Sequence, residues 1–152
     1  MRTVLICILI FAQLGCANHD IDMQLFVDDV DIVSMNGTWE VLSFESYADK
    51  SREFKTEENS DGLDIVITFD DTKTPHEFSG QNTRNSILGT FVYPTTRKFK
   101  AITYFSTEVG QPAWADMFNE ALASGELDFK VNKTELRLFY NSGMRSVTFS
   151  RR

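Results

Sequence analysis

Hydrophobic and polar positions along this chain repeat with two different periods. Leu63, Ile65, Ile67 and Phe69 alternate with Asp64, Val66, Thr68 and Asp70. A period of two over that length predicts a strand with one buried face. Residues 37–46 predict another strand, in which Trp39 and Val41 are followed by Leu42 and Phe44. That apolar face switches midway, as a bulge or a sharply curved strand requires. The turn cluster 70–75 leads into a short returning strand over 76–80, and strands over 87–93 and 97–106 are joined by Pro94-Thr95-Thr96. Strands over 126–131, 134–140 and 145–150 follow. Asn132-Lys133 has the length favoured for a hairpin, and Asn141-Ser142-Gly143 supplies residues that tolerate positive φ. Residues 51–62 are charged and polar, and read as a loop.

The second period belongs to one stretch, 112–125. Trp114, Met117, Phe118, Ala121 and Leu122 fall on one stripe at helical spacing, with Asp116, Asn119 and Glu120 facing away. Pro112 suits the first turn and Gly125 the left-handed residue that stops a helix. A lone amphipathic helix among strands must lie on a sheet or plug a barrel mouth. The predicted fold is therefore mostly β (α+β): a strongly bent antiparallel sheet or cracked barrel of seven to eight strands, covered or plugged by that helix. The apolar set Trp39, Ile65, Ile67, Phe91, Phe105 and Trp114 would either line a cavity inside it or simply fill the core.

The N-terminus carries an address. Arg2 precedes an uninterrupted apolar run over 4–12, shorter than the roughly 20 residues a membrane-spanning helix needs but suited to a signal peptide. Leu14-Gly15-Cys16 follows directly and resembles the lipobox of bacterial lipoproteins, although Gln13 stands where an aliphatic residue is usual. The resemblance implies cleavage of 1–15, diacylglycerol on Cys16, and anchoring in the bacterial cell envelope. Ala17, rather than Asp, implies the outer membrane. The plainer alternative is an ordinary secretory signal with Cys16 an incidental thiol. Residues 16–36 then form an acidic tether, and 37–152 the folded domain.

Composition narrows the chemistry. Both cysteines, Cys7 and Cys16, lie in the N-terminal segment, so the body has neither a disulfide framework nor a thiolate metal site. The formal charge of −7 argues against nucleic acid as a partner. Arg97, Lys98 and Lys100 read as protective charge on a solvated strand. The aspartates 20–31 lack the glycine and closing Glu of a calcium loop. No nucleophile elbow, phosphate loop or zinc-protease helix is present, and His76 reads as a surface residue beside a turn. No catalytic residue, metal or cofactor is assigned, and an enzyme is not expected.

As a set, Gly37-Thr38-Trp39, Phe78-Ser79-Gly80, Asn82, Gly89, Thr103, Phe118 with Leu122, Leu136 with Leu138, Gly143 and Phe149 resemble the META domain, the family of a bacterial heat-shock lipoprotein. Gln81 and the Ser106-Thr107 region replace cysteine-bearing positions of many members, so no thiol role carries over. The resemblance implies close backbone approach at Gly80 and Gly89, and bonding of Asn82 to loop backbone. Two functions stay open. One is an envelope lipoprotein acting in stress response or maintenance through a protein partner. The other is a lipocalin-like carrier of a small hydrophobic ligand.

Overall fold

The computed structural model describes residues 34–152. Residues 1–15, Cys16 and the predicted tether up to Val33 lie outside the described residues. The fold comprises β1 (Gly37–Ser46), β2 (Ser51–Phe54), α1 (Glu57–Ser60), β3 (Ile65–Asp70), β4 (His76–Asn82), β5 (Asn85–Thr95), β6 (Lys98–Ser106), α2 (Ala113–Ala123), β7 (Glu126–Val131), β8 (Glu135–Tyr140) and β9 (Arg145–Arg151). All nine strands form one antiparallel sheet in the order β2-β1-β3-β4-β5-β6-β7-β8-β9, and β1 pairs again with β9. Eight strands thus close into a barrel, with β2 as an extra strand on β1. β1 meets β3 over Gly37–Glu40 and β2 over Ser43–Ser46, so β2 continues the edge that β3 leaves.

Two bulges set which side chains point inward. On β1 the register slips between Val41 and Ser43, turning Leu42 out while Trp39, Val41 and Phe44 stay in the core. The switch of apolar face along 37–46 is this bulge. On β6, Thr103 faces Thr90 but Ala101 faces Phe91, which leaves Ile102 over. Phe99 is therefore inward on one side of the bulge and Tyr104 turns toward the core on the other.

The interior is filled by aromatic rings. Phe69 meets Phe91 and Phe99 edge to face with centroids 5.6 and 5.7 Å apart, and Phe118 meets Phe149 at 6.2 Å. Such contacts add about 0.5–1.5 kcal/mol each beyond area burial. Room for the rings comes from two missing side chains. A Cβ on Gly80 would stand 2.0 Å from the Val66 carbonyl oxygen, and one on Gly89 would stand 2.2 Å from that of Thr103 and 2.4 Å from the Phe78 ring. The strands β3 to β6 coil tightly because both positions are bare.

α2 closes one mouth. Trp114, Ala115, Phe118, Ala121 and Leu122 are buried on the predicted stripe, and Trp114 meets Phe44 edge to face at 4.8 Å. Pro112 is the N-cap, in extended conformation, rather than part of the first turn; Gly125, at φ +94°, follows the C-cap Ser124. The opposite mouth is stopped by Met35, which is fully buried. Its N–H donates to the Tyr93 hydroxyl at 3.0 Å, and its carbonyl accepts from Trp39 Nε1 at 2.7 Å. Ser34 Oγ and Tyr93 O–H both donate to Asp71. The fold therefore reaches back to Ser34, ahead of the predicted boundary at Gly37.

Residues 51–62 are not a plain loop. β2 is exposed along its length and attached through Arg52 to the buried Glu45 of β1. α1 is a single turn whose capping box pairs Thr56 with Asn59. Neither element has an apolar period to announce it.

Candidate functional site

Of the predicted cavity residues, Trp39, Ile65, Ile67, Phe91 and Trp114 come together, each fully buried in one packed cluster. Phe105 does not join them: it is 61% exposed on the outside of the barrel. The bulge at Ile102 is the reason, because it reverses the alternation that would otherwise carry Phe99, Ala101, Thr103 and Phe105 to one face.

Phe105 instead lies on an outer face built by β3 to β6. One cross-strand row runs Thr68, Ser79, Leu88, Phe105, and the next Asp70, Glu77, Thr90, Thr103. Between them opens a shallow groove of about 370 Å³. Its apolar side is Leu88, 56% exposed, with Phe105; Ile102, 55% exposed, projects from the same strand. Hydroxyls line the floor, where the Thr90 and Thr103 oxygens lie 2.9 Å apart. The charged end holds Lys73 between Glu77 at 2.7 Å and Asp70 at 3.5 Å. The Thr72 hydroxyl and then Lys73 hold the Asp70 carboxyl below the usual carboxylate range, and Glu77 raises the Lys73 ammonium. These charges pair with one another, so the groove offers polar contacts around an apolar wall.

A polar lip fixes the helix above the barrel. Asn82 is buried and donates to Asn119 Oδ1 at 2.8 Å and to the Ala115 carbonyl at 3.3 Å. Tyr104 O–H donates to the same Asn119 oxygen at 2.6 Å, so Asn119 bonds to the barrel rather than facing away. Asn82 bonds to helix backbone, where loop backbone was expected. The loop contact belongs to its neighbour Asn85. The Asn85 amide donates to the carbonyl of Val109 and the side chain of Gln111, and its oxygen accepts from Thr107 O–H and Val109 N–H, each at 2.9 Å. Burial raises the Tyr104 and Tyr93 hydroxyls above the ordinary tyrosine value. Asn85 went unmarked in the sequence because one buried asparagine has no period and no motif.

His76 sits at the start of β4, half-buried, with Nδ1 2.9 Å from the Lys73 carbonyl and its ring 5.2 Å from that of Phe91. Among the described residues no cluster of His, Cys, Asp or Glu could hold a metal ion. No helix among them is long and apolar enough to cross a membrane.

The chain matches no family model and no curated protein. Its fold is similar to that of solved structures. A protein from Burkholderia xenovorans, determined by NMR, superposes with a TM-score of 0.60 at 15% identity, covering 77% of this chain and 82% of that one. A DUF4847 family protein from Bacteroides vulgatus superposes with a TM-score of 0.55 at 20% identity, covering 77% and 93%. At these identities the likeness is one of fold.

Proposed function

We propose that this protein is a lipid-anchored lipoprotein of the bacterial cell envelope, at the outer membrane, whose META-like domain acts without catalysis, through contact with another protein in envelope stress response or maintenance. The anchor rests on Leu14-Gly15-Cys16 placed directly after an apolar run. Acyl chains contribute about 0.8 kcal/mol per buried CH₂, so a multiply acylated Cys16 holds a domain at a membrane with no spanning helix.

The observation that carries protein contact over ligand carriage is the packing of Trp39, Phe69, Phe91, Phe99, Trp114 and Phe118, all fully buried in the barrel's interior. A lipocalin-like carrier needs that space for its ligand. Among the large apolar side chains left exposed, Leu88, Val92, Ile102 and Phe105 lie on the adjacent strands β5 and β6. A contiguous apolar patch rimmed by hydroxyls and charges is what a transient protein contact uses.

Mass spectrometry of the mature N-terminus tests the anchor. A peptide beginning at acylated Cys16 is expected, and an unmodified start at another residue overturns it. Crosslinking in envelope-stressed cells tests the contact: a reproducible partner is expected, and it should be lost with Leu88→Lys and Phe105→Lys.

A further inference from the structure

We propose that the second half of β6 pairs edge to edge with the same stretch of a second copy of this chain. This names a partner for the outer face described above, and rests on that reading only in taking the face as a protein contact. β6 pairs with β7 over Lys98–Lys100 alone. Beyond Lys100 its pairing is on the β5 side only, up to Ile87 with Ser106. The unpaired edge is thus Ala101-Ile102-Thr103-Tyr104-Phe105-Ser106, without a charge or a proline and rich in β-branched and aromatic residues. Folded proteins blunt exposed edges with short strands and charge. The other edge of this sheet is blunted in that way: β2 is four residues, Ser-Arg-Glu-Phe. The second half of β6 has neither device: it is six residues long, carries no charge, and has no strand on its β7 side.

The phase of the edge selects the register. Thr107 N–H donates to the Ser86 carbonyl at 3.2 Å. Alternation along an antiparallel ladder then turns the amides of Phe105 and Thr103 toward β5, and those of Tyr104 and Ser106 away from it. Two antiparallel copies centred on Tyr104 exchange hydrogen bonds between the two Tyr104 backbones. In that register Thr103 of one copy stands beside Phe105 of the other. Charge agrees with the arrangement: Lys100 stands at one end of the stretch and Glu108 just past the other. Neither has an ion-pair partner among the described residues. Antiparallel pairing brings the Lys100 end of each copy to the Glu108 end of its mate. An edge that satisfies itself about a twofold axis gives a closed dimer and not a fibre.

Sedimentation velocity of the purified full chain over about 1–200 μM distinguishes the outcomes. A concentration-dependent dimer is expected. Lys100→Glu should weaken it at least about tenfold, because like charges then meet at both ends. The double variant Lys100→Glu with Glu108→Lys should restore it, with near-ultraviolet circular dichroism unchanged throughout. Mixing a Thr103→Cys chain with a Phe105→Cys chain should give an intermolecular disulfide under oxidation that neither chain gives through those positions alone. A monomer over the whole range, a dimer insensitive to Lys100→Glu, or an edge occupied by a strand of another protein overturns the proposal. The last outcome leaves the protein-contact reading standing, and the N-terminal mass tests the anchor separately.

Discussion

At the residue scale the barrel depends on what is absent at positions 80 and 89. A methyl group at Gly80 meets the main chain of β3, which cannot yield without moving the strand. Gly80→Ala should therefore cost about 3 kcal/mol or more in urea denaturation, at the severe end for a single substitution. Phenylalanines give a matched contrast. Phe91→Ala should cost about 3–5 kcal/mol, the figure for emptying a packed ring site. Phe105→Ser should stay within about 0.5 kcal/mol, since that ring already stands in solvent. In the sequence both are apolar positions on strands; only the bulge at Ile102 separates them, and nothing in the local residue pattern marks its place. The buried tyrosines predict a pH response. Tyr93, Tyr104 and Tyr140 all have hydroxyls raised by burial, so the folded state keeps protons that the unfolded state releases. Their contribution is fully present below about pH 10, the unfolded value, and is lost as pH rises above it. Tyrosinate absorbance should accordingly rise together with unfolding, and Tyr93→Phe should shift that alkaline transition.

At the scale of elements, legibility followed the length of the repeating pattern. α2 offers five apolar positions at helical spacing, and the helix covers Ala113–Ala123 with all but the half-buried Met117 fully packed. The eight predicted strand ranges reappear within a few residues of their bounds because each alternates or ends in a recognisable turn. Asn141 and Ser142 take φ of 50° and 56°, as their sequence suggested. β2 and α1 were illegible for the opposite reason: β2 is held by backbone pairing and Arg52, α1 by its capping box, and neither uses a buried stripe. Long-range polar ties were equally hidden, since Asn85 and Val109 are 24 positions apart. Asn85→Ala should remove the four hydrogen bonds by which this buried side chain holds the solvent-exposed 107–111 loop, and cost about 1–3 kcal/mol. Hydrogen exchange should quicken first in that loop and in α2, with β8 and β9 little changed, if the tie acts as the geometry indicates.

At the scale of the molecule, the two mouths are closed by different means. Ser34 and Met35 enter at one, and α2 lies across the other, so the first described residues and the helix stand at opposite ends of the barrel. Closure runs through β1, which carries β9 along one edge and β3 and β2 along the other. The seam holds at its end, where Arg152 N–H donates to the Thr38 carbonyl at 2.9 Å and its guanidinium to Glu40 at 2.7 Å, 112 positions away. A chain interrupted before β9 leaves β1 with its longest ladder unmade. Such a fragment has no route to a closed ring and should be caught by proteases. The converse follows from the same neighbourhood: joining residue 152 to residue 34 by a short linker and cutting the backbone at Gly143 should give a circular permutant that still folds, because the ring has no privileged starting point.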